Sequence, residues 1–250
     1  MKIAMLGATR GIGRALARAL AARGDELFLL GRNETELAGM ATDLALRRPS
    51  TGAGAGAIGQ AACDLERPES FAPALALAVE RLGGLDAVIV TAALFGTQDE
   101  LEGDRERMRR LLDVDFARTV EFCEEARELL LARGGGRLMV FSSVAGDRGR
   151  KPVVFYGAAK AGLAAYLEGL DHRFHSRGLR VITVKPGFVR TGMTSQLAEP
   201  PFAADPDGIA PRLVRALDRA RPVVYAPAIW WLVMRAVRLL PRAVMRRVGF

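Results

Sequence analysis

The chain has 250 residues, half of them apolar, which excludes global disorder and suits one α/β domain, or two small ones, around a substantial core. Its net charge is +8, but five arginines and no acid fall between Pro222 and Phe250; the rest is close to balanced, which argues against a general nucleic-acid-binding surface. Cys63 and Cys123 are too few for a disulfide framework and read as reduced core thiols of a cytosolic protein.

Met1 leads directly into an apolar run and a glycine turn, so no signal peptide is expected. Short apolar runs predict strands at Ile3–Leu6, Glu26–Leu30, Ala57–Ala62, Ala87–Thr91, Arg137–Phe141, Arg180–Val184 and Pro222–Tyr225. Amphipathic stretches predict helices over Ile12–Arg23, Glu34–Arg47, Glu69–Leu82, Glu106–Arg133 and Val153–Ser176. This alternation predicts one doubly wound α/β domain, residues 1–226, with a parallel seven-stranded sheet covered on both faces. Residues 227–250 read as an amphipathic C-terminal extension. The run Ser50–Gly59, rich in glycine and alanine, reads as a flexible connection.

Gly7, Gly11 and Gly13 follow the first strand in GATRGIG. Glycines at a strand-to-helix turn let backbone approach a pyrophosphate, and the helix N-terminus adds free N–H groups and a positive dipole end. Arg10 in that turn and Arg32 after the second strand bear on which dinucleotide. A ribose 2′-hydroxyl favours an acid at that strand end, whereas a 2′-phosphate favours arginine. Here Gly31-Arg32-Asn33 precedes the first acid, Glu34, so NADP(H) is expected over NAD(H). The plainer alternative is two solvated surface arginines.

The segment VFSSVAGDRGRKPVVFYGAAKAG sets Ser143, Tyr156 and Lys160 at spacings of thirteen and four. A phenol exchanges protons poorly near neutrality, because its ordinary pKa is about 10. A neighbouring ammonium favours the phenolate, and a four-residue offset puts Tyr156 and Lys160 one turn apart on one helix face. Ser143, at a strand end, is placed to polarise a carbonyl oxygen.

Together these motifs resemble the short-chain dehydrogenase/reductase family over nearly the whole chain. The resemblance implies a single-domain Rossmann-like fold and reversible hydride transfer between a carbinol or ketone and a nicotinamide. In that reading Tyr156 is the general acid/base, Lys160 lowers its pKa and holds the nicotinamide ribose, and Ser143 orients the substrate oxygen. It also implies cofactor contacts from Gly7, Thr9, Arg10, Gly11, Ile12 and Gly13, from Arg32, Asn33, Asp64, Leu65 and Ala92, and from Pro186, Gly187, Val189 and Thr191. A homodimer or homotetramer is implied as well. Two departures stand out. The fourth strand runs into Thr91-Ala92-Ala93-Leu94 instead of Asn-Asn-Ala-Gly. Asp115 replaces the asparagine that helps hold a proton-relay water near the lysine; it can still accept hydrogen bonds, so the relay is expected to survive.

The tail YAPAIWWLVMRAVRLLPRAVMRRVGF holds both tryptophans beside uncompensated arginines. Its apolar run is far too short to span a bilayer. Its character suits an anionic membrane surface, which would put the protein at the inner face of the membrane, and equally a terminal helix covering the pocket or packing on another subunit. The tail and catalytic segment are also similar to the family branch that reduces decaprenylphosphoryl-2-keto-ribose, which implies a keto-sugar on a polyprenyl phosphate. A small soluble carbonyl substrate, or a non-catalytic NADPH-binding module, stay open as alternatives. His172 and His175 lack a companion acid or cysteine cluster, so no metal site is expected. Asp99, Glu100, Glu102 and Asp104 read as a solvated helix start.

Overall fold

The computed structural model describes residues 1–49 and 58–248. Most of the glycine-rich connection, residues 50–57, therefore lies outside the described residues. The strands are β1 (Lys2–Leu6), β2 (Glu26–Gly31), β3 (Gly59–Ala62), β4 (Ala87–Val90), β5 (Gly136–Phe141), β6 (Leu179–Pro186) and β7 (Val223–Ala226). They form one parallel seven-stranded sheet in the order β3-β2-β1-β4-β5-β6-β7. Helices α1 (Gly11–Arg23), α2 (Glu34–Arg47) and α3 (Phe71–Leu82) connect the first four strands. Between β4 and β5 lie α4 (Gln98–Gly103), α5 (Arg105–Leu112) and α6 (Thr119–Ala132). Then come α7 (Val154–Phe174), α8 (Pro206–Asp218) between β6 and β7, and α9 (Ile229–Leu239) and α10 (Arg242–Met245).

Alternation along β1 builds a core on each side of the sheet. Ile3 and Met5 pack with Leu16 and Leu20 of α1 and Leu213 and Leu217 of α8. Ala4 and Leu6 face the opposite layer, with Phe71, Phe122, Leu163 and Leu167. Cys63 and Cys123 are buried free thiols in that second layer. Burial pushes the Cys63 pKa up to about 11 and that of Cys123 higher still, so both are held as thiols.

The helix expected over Glu106–Arg133 runs without a gap from Arg105 to Ala132, but its α pattern is interrupted once. Asp104 caps α5 by accepting the Arg107 amide at 2.9 Å, and residues Asp113–Arg118 form a π-helical turn before α6. Thr119 Oγ1 donates to the Val114 carbonyl at 2.7 Å inside that turn. Such an insertion rotates the helix face, and here it carries Asp115 to a fully buried position. The acidic stretch is a pair of helix starts: Thr97 and Glu100 make a reciprocal capping box on α4, and Asp104 caps α5. Helix α8 is absent from the sequence expectations because Pro206 and Pro211 disguise it; Pro206 occupies its first turn, where no backbone donor is needed.

The C-terminal segment docks on the domain. Met234 and Val237 of α9 bury against Tyr225 of β7 and Val144, the residue after Ser143. The opposite face of α9 leaves Trp231 48% and Leu239 78% exposed. Among the described residues no helix is long and apolar enough to cross a membrane.

Candidate active site

Strand β5 delivers Ser142 and Ser143 to the carboxyl edge of the sheet. Ser143 Oγ accepts the Ala145 amide at 3.1 Å and so caps a tight 3-10 turn over Val144–Asp147. That turn lies on the start of α7 because two glycines allow it. A Cβ built on Gly146 would sit 2.7 Å from the Ala161 nitrogen, and one on Gly157 would sit 2.9 Å from the Ala145 carbonyl oxygen. Ser142 Oγ donates to the Lys160 carbonyl at 2.8 Å, an interior tie between strand end and helix. The sequence motif is thus a packing solution that brings Ser143, Tyr156 and Lys160 together.

Lys160 is buried at 2% exposure, and its Nζ lies 3.3 Å from Asp115 Oδ2 and 3.4 Å from the Phe141 carbonyl oxygen it donates to. Asp115 Oδ1 accepts the Leu94 amide at 2.6 Å. The Asp115–Lys160 contact is close enough for an ion pair but is not aligned as a hydrogen bond, so Oδ2 has no directed donor among the described residues. Burial raises the Asp115 pKa, with Lys160 and the Leu94 amide opposing. Burial works against the Lys160 ammonium too, but Asp115 and Tyr156 outweigh it and hold its pKa above the ordinary value. Burial also raises the Tyr156 phenol; Lys160 pulls it down, Asp115 pushes it up, and Ser143 favours the phenolate. Lys160 Nζ stands 5.6 Å from the Tyr156 ring centroid, and Phe95 meets that ring edge-on at 5.2 Å.

The β1–α1 turn has the shape of a phosphate cradle. Gly7 and Gly11 adopt φ of +96° and +50°, and a Cβ on Gly13 would lie 2.1 Å from the Gly7 carbonyl oxygen. Among the described residues no side chain caps α1, so the first amides at Gly11, Ile12 and Gly13 have no side-chain acceptor there. Thr91 Oγ1 braces the turn by donating to the Leu6 and Gly7 carbonyls at 3.1 and 2.9 Å, and the Ala92 backbone touches Gly7. Thr91 thus buttresses the turn from the altered fourth-strand segment. Thr191 joins from the other side: its Cγ2 would lie 3.1 Å from a Cβ on Gly11. These features fit a dinucleotide pyrophosphate.

At the adenine end the expected residues gather, each already engaged. Arg10 and Thr9 both reach Glu36, the Arg10 pair being a two-point salt bridge. Asn33 caps α2 by accepting the Glu36 amide at 3.0 Å. Arg32 sits 3.8 Å from Glu66, which Arg110 grips with two bonds of 2.6 Å. Asp64 accepts the Glu66 amide at 3.1 Å, and Leu65 is buried beside it. Glu36, in the first turn of α2, was not a sequence candidate, because its approach to Arg10 depends on how α2 packs.

Beyond β6, Pro186 and Val189 are buried, and Thr191 is fixed by its amide donating to Thr194 Oγ1 at 3.0 Å. Gly187 is covered by the Trp230 indole: a Cβ there would fall 2.0 Å from Trp230 Nε1. That Nε1 is buried without a hydrogen-bond partner among the described residues. Beside it, Asp147 accepts a 2.7 Å bond from Tyr225 Oη and pairs with Lys185. This knot of Asp147, Lys185, Tyr225 and Trp230 joins the turn after Ser143 to β6, β7 and α9. Its members are too far apart in sequence for spacing to reveal them.

The family model for short chain dehydrogenases matches residues 2–201. The chain is 33% identical to an oxidoreductase of Mycobacterium tuberculosis over 246 residues, 98% of this chain and 96% of that protein. It is 28% identical to carbonyl reductase family member 4 of Xenopus laevis over 78% of each chain. Among solved structures, levodione reductase superposes with a TM-score of 0.78 at 20% identity, covering 89% of this chain and 94% of that one. The chain belongs to the short-chain dehydrogenase/reductase family. It is an oxidoreductase with the Rossmann-like fold and nicotinamide dinucleotide site of that family.

Proposed function

We propose that this protein is an NADP(H)-dependent reductase that converts a ketone to a secondary alcohol. The observation that carries this reading is the assembly of Ser143, Tyr156 and buried Lys160 at one strand end. The nicotinamide, when bound, supplies the hydride to the carbonyl carbon. Tyr156 Oη gives its proton to the carbonyl oxygen as that oxygen gains negative charge, and Ser143 Oγ holds the same oxygen by a hydrogen bond. The Lys160 ammonium stabilises the phenolate left on Tyr156, and Asp115 neutralises that ammonium in the interior. Arg10 and Arg32, with no acid at the end of β2, support the 2′-phosphate of NADP(H) as the preferred adenine end. A relative named as a carbonyl reductase supports the direction of reaction. Tyr156→Phe should lower kcat by about a hundredfold or more while NADPH still binds; full activity in this variant with carbonyl substrates would remove the reading.

For the substrate we propose a keto-sugar carried on a polyprenyl phosphate, handled at an anionic membrane surface. Supporting this, α9 presents Trp231, Leu232 and Leu239 outward among Arg235 and Arg238, while its inner face backs the turn after Ser143. Flotation of the full chain with phosphatidylglycerol vesicles should carry it to the lipid fraction, and Trp231→Ser/Leu239→Ser should abolish that. A full chain that stays in the soluble fraction would count against the membrane reading.

A further inference from the structure

Residues 206–250 hold nine arginines against two aspartates, which is most of the molecule's excess charge. The tail accounts for five of them. The other four, Arg212, Arg215, Arg219 and Arg221, converge where α8 turns into the edge strand β7. There they line a cleft of about 140 Å³ together with Val223 and Val224. Among the described residues no carboxylate lines it. Asp218, the acid nearest in sequence, is turned away to Arg23 at 2.6 Å. Arg212 Nε donates to the Tyr225 carbonyl at 2.7 Å. Arg215, Arg219 and Arg221 have no hydrogen bond or ion pair from their side chains among the described residues. Burial lowers the Arg212 pKa, and repulsion from Arg221 and Arg215 lowers it further.

Two general effects account for part of this arrangement. The negative end of a helix dipole tolerates cations, and charged side chains guard an exposed sheet edge. Neither calls for four guanidinium groups around one concave site. Guanidinium groups crowded without a counter-charge gain most from a multiply charged oxyanion, whose oxygens match their paired donors. We propose that the cleft formed by Arg212, Arg215, Arg219 and Arg221 is a binding site for a phosphate-type oxyanion, separate from the dinucleotide cradle. Its ligand is a free pyrophosphate-like solute or a lipid phosphate headgroup; both present the same chemistry.

The test uses the full chain saturated with NADPH, so that the glycine turn is occupied. Calorimetric titration with inorganic pyrophosphate at constant ionic strength should show one saturable site. Arg215→Ser/Arg219→Ser should weaken it about tenfold or more, and Arg219→Lys should weaken it less, since charge survives without the fork. Circular dichroism of each variant verifies the fold. If pyrophosphate does not bind but vesicles containing phosphatidic acid do, with Arg215→Ser/Arg219→Ser losing that binding, the ligand is a headgroup. Binding of neither probe, or binding unchanged in Arg215→Ser/Arg219→Ser, overturns the proposal.

Discussion

Asp115 contacts Lys160 Nζ at 3.3 Å through one carboxylate oxygen and holds the Leu94 amide at 2.6 Å through the other. The two departures from the family pattern, at the end of the fourth strand and in the central helix, therefore meet in one interaction. Replacing Asp115 with asparagine preserves an acceptor for Leu94 and removes the charge. Asp115 is one of the groups that raise Tyr156, so its loss lowers the phenol pKa. The acidic limb of the pH profile for alcohol oxidation, where the phenolate is needed, should move to lower pH in Asp115→Asn. An unmoved limb would show the carboxylate to be electrostatically silent.

Gly13→Ala tests the cradle. The new methyl would lie 2.1 Å from the Gly7 carbonyl oxygen and 2.6 Å from Thr91 Oγ1, and neither is a flexible side-chain tip. A stability loss of about 1–3 kcal/mol is expected from overpacking, together with weakened NADPH binding. Thermal melting and fluorescence titration measure the two effects.

Glu36 competes for Arg10. If Arg10 serves the 2′-phosphate, Glu36→Gln should release it and raise the preference for NADPH over NADH by about threefold, the scale of an exposed ion pair. Dissociation constants for both dinucleotides decide this. A preference that shifts toward NADH would place Arg10 elsewhere.

Gly187→Ala drives a methyl into the Trp230 ring. The indole must move, loosening α9 from the turn behind Ser143, so kcat/KM and the melting temperature should fall. Trp230→Ala should partly relieve the clash in the double variant. If Gly187→Ala matches the parent in activity and melting temperature, the contact has no role.

Away from the site, Tyr166 Oη donates to Glu124 Oε1 at 2.5 Å, with Arg127 also bound to that carboxylate. Burial raises the Glu124 pKa, but these donors outweigh it and hold it below its ordinary 4.5. A lowered folded pKa contributes stability above the unfolded value and loses it as pH falls through the folded one. Tyr166→Phe should therefore cost about 1 kcal/mol at neutral pH, a modest figure because Glu124 is partly exposed. The difference should shrink below pH 4.5. A gap constant from neutral to acid pH would exclude the linkage.

The strand runs and the glycine turn were legible because apolar alternation and local glycine demands are written in adjacent residues. So was the Ser143, Tyr156 and Lys160 spacing, which one turn and one helix impose. The π-turn that buries Asp115 was not legible: its pattern departs from an α-helix by a single residue. Helix α8 was hidden by Pro206 and Pro211. Glu36 against Arg10 and Trp230 against Gly187 depend on packing between distant elements, which no local period encodes.

The knot of Asp147, Lys185, Tyr225 and Trp230 has a consequence for how this enzyme can be altered. Tyr156 and Lys160 stand on α7 and Ser143 follows β5, while the cover over Gly187 is contributed by Trp230 of α9. Trimming the C-terminal segment would uncover Gly187 and strip the packing from Val144, so the segment is an unsuitable place for a truncation.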